Sequence, residues 1–128
     1  MARRYLQRPA ILVDPRMGRI RIYKYTLHSL GDPEYIILIV DPYNRSITIM
    51  RSEKSDQRAY YLERTIRDND RSPEIFSKSL IRDLFAINEC WDKSQPYRVY
   101  GEACPNGSAV TFDFTDSALF LGEREWQR

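Results

Sequence analysis

Seven cations, Arg3, Arg4, Arg8, Arg16, Arg19, Arg21 and Lys24, fall within the first 24 residues of this 128-residue chain. Arginine and lysine at that density suit one chemistry above others, the neutralisation of phosphate, because each contact releases a condensed counterion and makes binding steeply salt-dependent. A flexible arm bearing Arg3 and Arg4 also has the character of a minor-groove ligand. The charge is lopsided along the chain: residues 1–51 hold nine Lys/Arg against four Asp/Glu, and the remainder holds eleven against fourteen. A basic front and an acidic back point to an anionic partner on one side only. Two observations pull the other way. The whole-chain pI near 8.6 lies below the value above about 9 that marks a dedicated nucleic-acid binder. The same arginines also serve as a solvated strand edge that resists edge-to-edge aggregation.

Groups suited to catalysis are sparse. His28 is the single histidine, and its place on a short helical stretch makes it a surface residue. Asp68 and Asp70 lie in a charged connector, where no desolvation tunes a carboxyl for proton transfer. Asp113 alternates with Val110, Phe112 and Phe114 and so faces solvent. Cys104 has no second histidine to activate it, and the five glycines are scattered singly, with no phosphate-cradling loop. Cys90, Cys104 and His28 show no metal-ligand spacing. The expectation is a non-enzymatic protein with no cofactor, no metal and no small-molecule substrate.

The elements that carry these residues follow from periodicity. Ile11-Leu12-Val13 is a short apolar strand ended by Asp14-Pro15, and Arg19-Ile20-Arg21-Ile22-Tyr23 alternates strictly, placing Ile20 and Ile22 on one face and Arg19, Arg21 and Tyr23 on the other. Leu27 and Leu30 have helical spacing, and Gly31 suits the helix stop. Tyr35 to Val40 is apolar throughout, which calls for cover on both faces. Asp41-Pro42-Tyr43-Asn44 turns the chain into the partner strand Ile47–Met50, completing a hairpin. Half of residues 51–74 are charged; within them Ala59–Leu62 reads as one short strand. After Pro73 the order restarts: Ile75-Phe76 extended, Ser77 capping a helix whose stripe is Leu80, Ile81, Leu84 and Phe85, then Tyr97–Tyr100, an Asn106-Gly107 turn and the return strand Ala109–Phe114. Asp116–Phe120 reads as a last helical turn, and Trp91 and Trp126 as core or lid residues.

The two halves align. Ile22 precedes Leu27 by five residues, as Ile75 precedes Leu80; a tyrosine opens each hairpin, Tyr35 and Tyr97; the return strands Ile47-Thr48-Ile49 and Val110-Thr111-Phe112 begin 12 and 13 residues later. Repeats of this kind decide an architecture, because a single two-stranded hairpin cannot bury both faces. The expected fold is mixed α+β and strand-rich: two strand–helix–hairpin repeats packed as one pseudo-dimeric, barrel-like domain. Its parts are a basic arm (1–10), the first repeat (11–50), a charged connector (51–74), the second repeat (75–120) and a tail (121–128).

Residues 14–49 carry a resemblance. Gly18-Arg19-Ile20, then Ile22, then Leu30-Gly31 and a strand–turn–strand resemble the swapped-hairpin family of bacterial DNA-binding regulators, the AbrB and MraZ proteins; MraZ-type chains also carry two copies. The resemblance implies interleaved hairpins, a homodimer or pseudo-dimer, and DNA contacts from Arg19, the arginine of the Gly-Arg pair, with Arg21, Lys24 and the loop residue Arg16. Residues 75–114 match only through the repeat and carry no Gly-Arg pair. The functional expectation is a transcription-regulator-like DNA-binding protein using the basic N-terminal half. The alternative is a small protein-interaction or scaffold domain without nucleic acid. With no apolar segment approaching the ~20 residues of a membrane span and no apolar stretch after the N-terminal arginines, the expected location is cytoplasmic, without membrane contact, and the thiols are expected to be reduced.

Overall fold

Period-two alternation decides most of this architecture. The computed structural model describes residues 8–62 and 72–121. Eight strands and two helices follow in order: β1 (Ala10–Asp14), β2 (Arg19–Ile22), α1 (Lys24–Ser29), β3 (Tyr35–Asp41), β4 (Ser46–Ser52), β5 (Tyr60–Tyr61), β6 (Glu74–Phe76), α2 (Lys78–Ile87), β7 (Tyr97–Ala103) and β8 (Ala109–Leu119). The strands form one antiparallel sheet, ordered β5-β3-β4-β8-β7-β1-β2-β6, that curls into a nearly closed barrel. Its interior is built by alternate residues: Ile20 and Ile22 from β2, Ile47 and Ile49 from β4, and Val110, Phe112 and Phe114 from β8 are all essentially inaccessible. Their neighbours Thr48, Thr111 and Asp113 point outward, as the pleat requires.

The helices stop and start where their caps lie. Gly31, at φ +79°, follows the α1 C-cap Leu30; its N–H donates to the His28 carbonyl and that of Asp32 to the Leu27 carbonyl, closing a Schellman motif. The Ser77 side chain accepts from the Leu80 N–H at 3.2 Å and caps α2. Ile81, Leu84 and Phe85 of α2 are buried. Trp91 joins them in the core, stacked on Tyr97 with ring centroids 4.6 Å apart and edge-on to Phe85 and Phe114. Gly101 is required by close approach: a Cβ there would lie 2.6 Å from the Phe112 ring.

Two expectations change. The segment Asp116–Phe120 is not helical; β8 runs on to Leu119 because Ser117, Ala118 and Leu119 pair with Val99, Arg98 and Tyr97. The apolar run Tyr35–Val40 in β3 is not covered on both faces, since Ile39 is 41% exposed. The strand enclosed on both faces is β1, buried at every position. It lies between β2 and β7, and the Thr26 hydroxyl of α1 accepts from the Ala10 N–H and donates to the Ala10 carbonyl. Cys90 and Cys104 are free thiols. No helix among the described residues is long and apolar enough to cross a membrane. Trp126 lies outside the described residues.

Candidate nucleic-acid interface

The β1–β2 turn is organised by one carboxylate. Asp14 ends β1 with its side chain wholly inaccessible. Oδ1 accepts from the Arg16 main-chain N–H at 3.0 Å and from Arg16 Nε at 3.2 Å, while Oδ2 accepts from Arg19 Nε at 3.3 Å. The Asp14–Arg16 main-chain bond is an Asx-type turn, so the acid defines the loop as well as its charge. Burial pushes the Asp14 carboxyl up, but the hydrogen bonds and charge of Arg16, joined by the charge of Arg19, outweigh it and hold the group below its ordinary value. Gly18 completes the turn at φ +64°, a conformation that disfavours residues with a Cβ.

The outward residues of β2 meet a second carboxylate. In the β2–β6 ladder Arg21 stands opposite Glu74. Glu74 Oε2 accepts from Arg19 Nη1 at 2.7 Å and from Arg21 Nε and Nη2 at 3.1 and 3.0 Å. Five charged side chains therefore run Arg16–Asp14–Arg19–Glu74–Arg21 across β1, β2 and β6, three positive and two negative. The side chains of Arg19 and Arg21 are only 18% and 25% exposed, against 58% for Arg16. Of the described arginines expected to meet phosphate, Arg16 alone presents most of its side chain to solvent. Lys24 opens α1 and is half-buried, with an interaction of its own. Arg3 and Arg4 lie outside the described residues.

A cationic rim that the residue pattern did not single out lies beside the turn. A groove of about 420 Å³ runs between the turn and α2, its floor formed by Met17, Ile81, Phe85 and Ala86, and its edge by Arg16, Lys78, Arg82 and Lys93. The two walls are bonded together: the Ser77 N–H donates to the Gly18 carbonyl at 2.9 Å, and a Cβ on Gly18 would lie 3.0 Å from Lys78 Cγ. Lys78, Arg82 and Lys93 are exposed, and among the described residues none of the three forms an ion pair. No carboxylate among the described residues lines the groove. Lys78 and Arg82 have i,i+4 spacing on one side of the apolar stripe of α2, the one signal in the chain that could have pointed to them.

Comparison with protein-family models, curated proteins and solved structures returns no match. The chemistry of the surface is the remaining guide. Among the described residues no three His, Cys, Asp or Glu side chains are grouped to hold a metal ion. His28 is half-exposed, its Nδ1 2.8 Å from Asp32 Oδ1. Cys104 sits in the β7–β8 turn, where hydrogen bonds from the Ser108 side chain and then from the turn's main chain lower its thiol pKa against the effect of burial.

Proposed function

We propose that this chain is a non-enzymatic, DNA-binding regulator of the swapped-hairpin kind, in which its two halves act as the two subunits of a dimer. With β5 counted in the second half, each half holds two strands, a helix and a hairpin, and the six strands β5-β3-β4-β8-β7-β1 are ordered symmetrically under exchange of the halves, while β2 and β6 both follow β1. Register adds independent support. Aligning the repeat on Ile22 and Ile75 carries Arg21 onto Glu74, and aligning the return strands carries Thr48 onto Thr111. In a two-fold arrangement a residue at the axis lies opposite its own equivalent. Arg21 pairs with Glu74 and Thr48 with Thr111, whose hydroxyls are 3.1 Å apart.

The observation that carries the DNA reading is the shared rim of Arg16, Lys78, Arg82 and Lys93 on one groove. Exposed cations gain most from a polyphosphate; Lys78, Arg82 and Lys93 have no ion-pair partner among the described residues, while Arg16 keeps Asp14. In this reading Arg19 and Arg21, bridged by Glu74, fix the turn, and Arg16 with the α2 cations meets the backbone. Both hairpins belong to one chain, so a single copy supplies the whole of the nearly closed barrel. A homodimer would serve instead to place two rims on successive half-sites.

The test is a fluorescence titration of duplex DNA across a salt series, with sedimentation velocity of the same mixtures. Four phosphate contacts give a log–log slope of about −3.6. Binding that ignores salt, or none at ~50 mM salt, removes the proposal. The apolar floor of Met17 and Phe85 supports one competing reading, a docking groove for an acidic amphipathic peptide. That reading predicts DNA-independent capture of such a peptide and no shift with duplex.

A further inference from the structure

We propose that the groove between the β1–β2 turn and α2 binds a small amphipathic acid, one anionic head on an apolar tail, taken up from solution. Phosphate contacts use a cationic rim and have no need of an apolar floor. The inference therefore goes beyond the DNA reading and does not rest on it. The groove measures about 420 Å³, inside the ~300–1,000 Å³ of small-molecule sites.

The floor is apolar and fixed. Met17 stands in the turn with 54% of its surface exposed, and the exposed Ala86 of α2 lines the same groove. Methionine is unbranched and polarizable, so it adapts to apolar ligands of varied shape. Beside them the buried Ile81 and Phe85 complete the floor. The Phe85 ring is held edge-on by Trp91 at 5.2 Å and by Tyr97 at 6.2 Å. The walls are tied by the Ser77 N–H, which donates to the Gly18 carbonyl at 2.9 Å. A site with its floor and walls already in place loses little freedom when a ligand enters.

The rim selects the sign of the head. Lys78, Arg82 and Lys93 are exposed and have no ion-pair partner among the described residues. Asp92, next to Lys93 in the chain, uses Oδ1 to accept from the Ser94 N–H and hydroxyl. Arg16 also lines the groove but keeps Asp14, so the argument for an anion needs only the other three. No carboxylate among the described residues lines the groove, so an acidic head meets attraction and no like charge. An exposed ion pair contributes little by itself. The tail must therefore supply most of the affinity, by burial on the floor. A head without a tail, or the same tail with a cationic head, misses one half of the site.

The experiment is calorimetric and saturation-transfer NMR titration of the full chain with octanoate below its micellar range, with acetate and octyltrimethylammonium as controls at equal ionic strength. Octanoate should bind at about 1 mM or tighter, and each control at least about tenfold more weakly. From butanoate to octanoate, each added methylene should tighten binding about twofold to fourfold. Met17→Ser removes part of the floor without changing charge and should weaken octanoate about threefold to tenfold. Arg82→Gln removes one rim cation and should weaken it about twofold to fivefold. Both side chains are exposed, so both variants should keep the parent's melting temperature. Duplex DNA separates this site from the DNA reading. Where duplex binds, octanoate should displace it, while Met17→Ser should leave duplex affinity within about twofold. Octanoate binding with no duplex binding at all supports this site while removing the DNA reading. Duplex that binds and is not displaced overturns the placement of the acid in this groove. Co-sedimentation with anionic vesicles in the absence of octanoate binding assigns the groove to a bilayer surface and overturns the proposal. A flat chain-length series, equal affinity for octyltrimethylammonium, unchanged affinity in both variants, or no binding by either method at ~20 mM also overturns it.

Discussion

The two sides of the β1–β2 turn carry similar numbers of cations and put them to opposite uses. On the β2 side Arg19 and Arg21 lie under the carboxylates of Asp14 and Glu74, with most of their surface withdrawn from water. On the α2 side Lys78, Arg82 and Lys93 stand exposed around an apolar floor. The first arrangement spends its charge inside the protein and yields a rigid turn; the second leaves its charge available. A count along the chain assigns the basic surface to residues 1–51, yet three of the four rim cations come from the half with net negative charge. Among the described residues, available charge depends on pairing in three dimensions, which a tally by segment does not record.

The largest expected effect comes from the open side. Reversing Lys78 and Arg82 together to glutamate should reduce duplex affinity by about 100-fold at low salt and flatten the salt slope by roughly two. Both side chains are exposed, so the urea midpoint should stay within experimental error of the parent. If affinity is unchanged, the rim is not the phosphate contact and the contrast between the two sides loses its functional meaning.

The closed side should respond in stability. Asp14→Asn keeps the shape but removes the charge that gathers Arg16 and Arg19. Loss of a buried, charge-assisted network of this kind costs about 2–3 kcal/mol, read by urea denaturation at neutral pH. Asp14 also gives this region a pH signature. Its folded pKa lies below the ordinary value of 3.8, so its interactions stabilise the fold above that value and are lost as pH falls through the folded pKa. The parent should therefore lose stability on acidification below about pH 4 more steeply than Asp14→Asn. Parallel acid limbs in the two proteins would show that the clamp contributes no linked protonation.

What could be read from residue types alone was what local spacing controls. The Asn106-Gly107 turn, the Ser77 cap, the Gly31 stop and the inward faces of β2, β4 and β8 all follow from a few neighbouring positions, and each stands where the alternation places it. The errors sit at long-range partners. Residues Ser117–Leu119 extend as strand because β7 receives them, and β1 is enclosed because α1 packs on it, with Thr26 bonded to Ala10. Glu74 reaches Arg21 and Arg19 from 53 and 55 residues away, a distance over which no local pattern speaks. The candidate site was legible to the same extent: Arg16 by its loop, the α2 cations only by a faint i,i+4 spacing.

A smaller effect sharpens the contrast by converting one side into the other. Glu74→Gln removes the carboxylate that holds Arg19 and Arg21 while retaining a hydrogen-bond acceptor of the same shape. Stability should fall by about 1 kcal/mol. Duplex affinity should rise about threefold, since Arg21, next to Arg16, becomes available to phosphate while Arg19 keeps Asp14. Affinity that falls with stability would mean the bridged pair presents the turn to DNA and that its rigidity outweighs the added charge.

The smallest expected effect is the most discriminating between a charge count and a charge map. Arg21→Ala deletes a cation from the most basic stretch of the chain, and a count predicts weaker binding with a shallower salt dependence. In the folded protein Arg21 gives two nitrogens to one oxygen of Glu74 and is only 25% exposed. Its removal leaves Glu74 paired with Arg19 alone at 2.7 Å, so the outward potential over β2 changes little. Duplex affinity should move by less than about twofold and the salt slope should not change, because no counterion is released at a side chain already neutralised by the protein. A full unit lost from the slope would place Arg21 on phosphate in the complex, and Glu74 would then have to release it on binding.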